Sequence, residues 1–96
     1  MTAYVIGTVY DVTDPVGFGE YRQLAQATVE KFGGKIVMGS DKVEAADGNW
    51  SPIGIIVLEF ESLERAKQWY NSPEYSAVRP MRLKSGTSGT IFADAP

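Results

Sequence analysis

Read as a strand, Ile53 to Phe60 carries apolar side chains on both faces, and that fixes much of what this 96-residue chain can become. Alternate residues of a strand point to opposite sides. Ile55 and Val57 therefore share one face, and Ile56, Leu58 and Phe60 the other. A sheet with one face in water shows polar side chains there. This strand shows only Glu59, which falls beside Ile55 and Val57. Both faces need cover, and the chain's own helices can supply only one.

The other elements follow from local chemistry. A first strand runs from about Ala3 to Tyr10, with Tyr4, Ile6, Thr8 and Tyr10 on one face and Ala3, Val5, Gly7 and Val9 on the other. Asp14-Pro15 opens a helix: the Asp14 carboxylate can cap free N–H groups, and Pro15 suits the first helical position. Phe18, Tyr21, Ala25, Thr28 and Phe32 recur at helical spacing, with Leu24 beside them, as one buried stripe. Gly33-Gly34 ends the helix. A second strand covers about Lys35 to Met38, and Asp47-Gly48 marks the tip of an expected hairpin whose arms include Val43 to Ala46. After the Ile53–Phe60 strand, Ser62 caps a second helix with Leu63, Ala66, Trp69 and Tyr70 inward. Pro73 marks its end. A further helical stretch spans about Tyr75 to Leu83, then a loop at Ser85 to Gly89 and a last strand at Thr90 to Ala93.

The order is β-α-β-β-α-β, which specifies an α+β, ferredoxin-like fold with a four-stranded antiparallel sheet and its helices on one face. Residues 1–96 read as one domain. The uncovered apolar face calls for a second copy of the chain, since most soluble oligomers are symmetric homo-oligomers. The expectation is a homodimer that joins sheet to sheet.

Composition excludes several classes of function. Histidine and cysteine are both absent, which removes disulfides, thiolate nucleophiles, Cys- or His-ligated zinc and a Ser-His-Asp triad. No cofactor or metal is expected. A net charge of −3 argues against nucleic acid as a partner, because binding it needs a basic surface. No apolar run approaches the ~20 residues that span a bilayer, and the N-terminus lacks a signal-peptide pattern, so no membrane partner is expected and the chain reads as cytoplasmic. Arg79, Arg82 and Lys84 make a small basic cluster that reads as a solvated helix face or a dimer salt bridge.

Several segments resemble the DUF1330 family of small uncharacterised proteins. They are the opening Met1-Thr2-Ala3-Tyr4-Val5-Ile6, Asp14-Pro15, Tyr21, Gly33-Gly34, Trp50-x-Pro52, Leu58-Glu59-Phe60, Ala66-x-x-Trp69-Tyr70-x-Ser72-x-x-Tyr75 and Arg79. They stand in the family's order over nearly the whole chain, and the Trp-Tyr-x-Ser-x-x-Tyr segment is the most specific. The resemblance implies a dimeric α+β barrel, in which two such sheets face each other and each subunit keeps a pocket. The wider superfamily includes monooxygenases, dehydratases, isomerases and haem-degrading enzymes, and fold alone does not choose among them. Many members carry an Arg shortly after the Trp-x-Pro, where this chain has Ile53 and Gly54. If that Arg binds an anion, this chain binds a different ligand or none.

The candidate catalytic residue is Glu59. In an apolar setting its pKa rises by desolvation, which suits a general acid or base; the alternative is a structural carboxylate paired to Arg79 or Arg82. Trp69, Tyr70 and Tyr75 either line a pocket for a flat organic ligand or fill core and interface. Tyr4 is the first-strand tyrosine expected to face a cavity, and Arg79 or Arg22 can bind a ligand carboxylate through the guanidinium fork. Asp41, Glu44 and Asp47 do not reproduce a calcium loop. Two functions stay open: a small-molecule enzyme with a cofactor-independent pocket, and a non-catalytic metabolite-binding or structural homodimer module.

Overall fold

A computed structural model describes residues 2–96; Met1, part of the opening segment quoted above, lies outside the described residues. The elements are β1 (Thr2–Val12), α1 (Pro15–Lys31), β2 (Lys35–Ser40), β3 (Gly54–Phe60), α2 (Leu63–Tyr70), α3 (Pro73–Lys84) and β4 (Gly86–Ala95). The four strands form one antiparallel sheet in the order β2-β3-β1-β4. This is the α+β, ferredoxin-like layout, with the crossover split between two helices on the return.

Each helix end has a local cause. The Asp14 carboxylate accepts from the Gly17 N–H at 3.0 Å. At the other end of α1, Gly34 N–H bonds Val29 C=O at 2.9 Å and Gly33 N–H bonds Glu30 C=O at 3.0 Å. That pair of bonds is a Schellman closure, and Gly33 takes the φ of +77° it requires. Ser62 Oγ accepts from Arg65 N–H at 3.0 Å to start α2. Ser72 Oγ then accepts from Tyr75 N–H at 3.1 Å, with Pro73 at the first position of α3. One short Ser-Pro break thus turns the chain from α2 into α3.

The helix-side core joins Val5, Leu58 and Phe60 from the sheet to Ala25, Val29, Ala66, Trp69 and Tyr75 from the helices. Val5 lies between Leu58 of β3 and Phe92 of β4, so those three share the covered face. The opposite face is apolar too. Tyr4 and Ile6 of β1 lie beside Glu59 and Val57 of β3 and Ala93 and Ile91 of β4. Ile91 is 53% exposed, and Met38, across from Val57, is 43% exposed. The two-faced reading of the β3 strand holds.

Three expectations need correction. No strand forms across residues 41–53, so the hairpin around Asp47-Gly48 is absent, although Gly48 does turn the chain at a φ of +80°. Its arms offer too little apolar alternation to bury, and nearly all of that segment is exposed. The last strand begins at Gly86 rather than Thr90, because β1 extends to Val12 and pairs with it through a bulge between Val9 and Asp11. Backbone pairing there overrides the weak strand preference of its two glycines. In α1, Leu24 is exposed and Val29 takes the inward position instead.

Among the described residues, no helix is long and apolar enough to cross a membrane.

Candidate functional site

On the covered face of β1 the inward residues are Ala3, Val5, Gly7 and Val9. Gly7 interrupts that row. A Cβ there would press on Ile56 Cγ2 at 3.0 Å, so the Ile56 side chain from β3 closes in over Gly7. Beside them lies a cavity of about 70 Å3 between the sheet and helices α1 and α3. A single water needs roughly 10–15 Å3 on the same measure, so the cavity has room for a few waters or a small organic group. A larger hollow of about 540 Å3 lies over Leu63 and Lys67 of α2 and Asn71 just after it, but it is an open trough among mostly exposed side chains.

The polar wall of the cavity comes from three elements. From α1, Tyr21 reaches Tyr75 of α3, hydroxyl to hydroxyl at 2.7 Å. Seven residues along α3 from Tyr75, two helical turns, Arg82 points the same way and donates from Nη1 to Thr90 Oγ1 of β4. Ser88 lies two residues before Thr90, on the same face of β4. The Arg82 Nε–H and the Ser88 hydroxyl are both buried, and neither has a hydrogen-bond partner among the described residues.

Burial pushes the Tyr21 hydroxyl's pKa well above the usual phenol value, and Tyr75 beside it pushes further; the Arg82 charge pulls weakly the other way. Tyr75 is also raised by burial, against the lowering influence of the Tyr21 bond and Arg82. Both phenols are therefore neutral donors at physiological pH. A phenol held protonated in the folded state stabilises the fold below its unfolded pKa of 10.0 and loses that contribution as pH rises further. Tyr21→Phe should flatten the fall in stability above that pH in chemical denaturation. A slope identical to wild type would contradict the burial of this hydroxyl.

Of the residues singled out from sequence (Glu59, Tyr4, Trp69, Tyr70, Tyr75, Arg79 and Arg22), the cavity gathers two. Trp69 and Tyr75 line it, with ring centroids 4.3 Å apart. Tyr70 instead packs between Tyr75 and Phe92, with centroid distances of 5.4 and 5.6 Å. Arg79 covers the outer face of that ring, its guanidinium carbon 5.0 Å from the Tyr70 centroid. Tyr4 lies on the uncovered face of the sheet, next to Glu59. Glu59 also stands on that face, and its carboxylate is 3.3 Å from Lys35 Nζ on β2. The expected partner was Arg79 or Arg82; strand register supplies Lys35 instead.

Arg82, Ser88 and Gly7 are the residues that sequence reading did not place in a site. Their signals were present: Arg82 shares a helical face with Tyr75, and Ser88 and Thr90 share a strand face with Phe92.

The layout is that of small ferredoxin-like α+β proteins, and solved structures agree. An ethyl tert-butyl ether (ethd) family protein from Bacillus halodurans is 15% identical, matches with a TM-score of 0.69, and covers 100% of both chains. SnoaB, a cofactor-independent oxygenase from Streptomyces nogalater, is 13% identical with a TM-score of 0.63, over 99% of this chain and 91% of its own. A dimeric ferredoxin-like protein of unknown function from Thermobifida fusca is 10% identical with a TM-score of 0.56, over 99% and 92%. At these identities the likeness concerns the fold. No curated protein matches the chain. The sequence itself assigns the family: residues 2–95 match the domain of unknown function DUF1330, and the chain belongs to that family.

Proposed function

We propose that this chain is a homodimer, joined through the uncovered sheet face, in which each subunit holds a small organic molecule in the cavity beside Gly7 without a cofactor. The observation that carries the reading is the pair of buried, unpartnered donors on the cavity wall, Arg82 Nε–H and Ser88 O–H. Buried polar groups nearly always have partners, and an unsatisfied one costs about 1–3 kcal/mol. A ligand that accepts from both offsets that cost.

The chemistry suits catalysis as well as binding. Neutral phenols and a guanidinium, held away from water, stabilise negative charge as it develops on a reacting oxygen. The Streptomyces neighbour is a cofactor-independent oxygenase, and a chain without His or Cys would need chemistry of that economy. Glu59, paired to Lys35 on the face a partner would cover, then acts as a brace for the sheet rather than as the proton carrier. Thermal-shift screening against a metabolite library tests the reading, since a ligand that binds only the folded state raises its apparent stability. Saturable stabilisation by at least one compound is expected. None across a broad library would contradict it.

The homodimer rests on the exposed apolar row of Met38, Val57, Ile6 and Ile91. A dimeric neighbour of the same fold supports it. Ile91→Asp places a charge in that row, and a buried unpaired charge is strongly unfavourable. Sedimentation velocity at micromolar concentration should show a wild-type dimer and a folded monomeric variant. A monomeric wild type, or a variant that dimerises unchanged, would count against this interface.

A further inference from the structure

Arg82 has a feature that the pocket alone does not explain: among the described residues it makes no ion pair, and the only two found join Lys31 to Glu74 and Lys35 to Glu59. No carboxylate lines the cavity. A partly buried cation without a counter-charge is an unusual arrangement, because burying charge is costly unless it is paired. The pocket supplies positive charge and donors, and it lacks the negative group that would complete them.

From this we infer that the ligand presents a carboxylate to Arg82, and that the carboxylate is the group the cavity beside Gly7 was shaped to take. The inference rests on the ligand-binding reading given above. Arg82 Nη1 is committed to Thr90, which leaves the edge formed by Nε–H and Nη2–H. That edge matches the two oxygens of a carboxylate and can donate two parallel bonds. The Ser88 hydroxyl supplies a further donor to one of the same oxygens. In the Tyr21–Tyr75 pair one hydroxyl donates to the other, so the accepting phenol keeps its own proton to give. Arginine fork, serine and phenol are all donors here, and the site recognises an acceptor that carries charge. A cavity of about 70 Å3 has room for the carboxylate end of a ligand. Aromatic rings of Phe18 and Trp69 border the same space and suit an apolar carbon beside the carboxylate.

Acetate and acetamide are nearly equal in size and differ in charge, so they make the test. Each is titrated through the millimolar range into the intact protein at fixed ionic strength, followed by backbone and indole NMR shifts. Acetate should bind saturably, shifting Gly7, Thr90 and the Trp69 indole, and acetamide should bind at least about tenfold more weakly, as loss of charge-assisted bonds implies. Arg82→Gln should weaken acetate by about 10- to 100-fold. Ser88→Ala, a smaller change that cannot disturb folding much, should weaken it by a few-fold. Equal binding of the two probes would overturn the carboxylate assignment while leaving the pocket standing. Failure of both probes to shift those residues would overturn both. An Arg82→Gln protein that is folded by circular dichroism and binds acetate as wild type does would overturn the role of Arg82; if that variant does not fold, unchanged binding in Ser88→Ala decides against the proposal.

Discussion

Replacing Trp69 with Ala should lower the unfolding free energy by about 3–5 kcal/mol, the range found when a buried large aromatic is truncated. The indole is 3% exposed and packs against Phe60 and Tyr75 with centroids 5.5 and 4.3 Å away. Its N–H donates to Thr28 Oγ1 at 2.9 Å, and the Thr28 hydroxyl passes a bond on to Ala25 C=O at 2.7 Å. Truncation therefore empties the junction of α1, α2 and the sheet and removes the donor that the buried Thr28 hydroxyl accepts from. Denaturant unfolding at one fixed protein concentration measures the loss, since the stability of a chain that self-associates depends on concentration. A change below about 1 kcal/mol would place the ring outside the core.

Gly86→Ala should be comparably damaging, at about 3 kcal/mol or more, from strain and overpacking combined. Gly86 links the end of α3 to β4 at a φ of +156°, and a Cβ on it would sit 1.9 Å from the Asp11 carbonyl oxygen. That atom is backbone in the β1 bulge and cannot rotate away. The same corner is tied by Thr13 N–H and Asp14 N–H, both donating to Ser85 C=O at 2.8 and 3.2 Å. Shifting it would move Arg82 relative to Ser88 and Thr90, so ligand-induced stabilisation should fall together with the melting temperature. A variant as stable as wild type would contradict the tight passage at Asp11.

The layer architecture was legible because its signals are local. Asp14 and Ser62 cap the first two helices, and Gly33-Gly34 closes α1; the Ser72 cap of α3 shows only in the structure. Strand parity in β3 likewise marked an uncovered second face before any pairing was known. The site was less legible because it depends on register and on absence. Glu59 stood out as a carboxylate in an apolar strand, yet its partner Lys35 is fixed only by how β2 slides along β3. The cavity is lined by residues of β1, α1, β3, α2, α3 and β4, and no motif along the chain links them. Arg82 sits beyond Pro80 in α3, among neighbours that are exposed, so its inward aim is hidden in a basic cluster. Ser88 belongs to a Gly-Thr-Ser-Gly run that reads as a loop until β1 pairs with it.

What connects these features is the space between Gly7 and the Tyr21–Tyr75–Arg82 wall, read as the place where each subunit holds its ligand. Chemical-shift mapping of a compound selected in the thermal-shift screen tests that directly. The largest perturbations should cluster on Gly7, Tyr21, Tyr75, Arg82, Ser88 and Thr90. Perturbations confined to the other side of the sheet, at Tyr4, Ile6, Glu59 and Ile91, would contradict it and move the ligand to the face assigned here to the partner subunit.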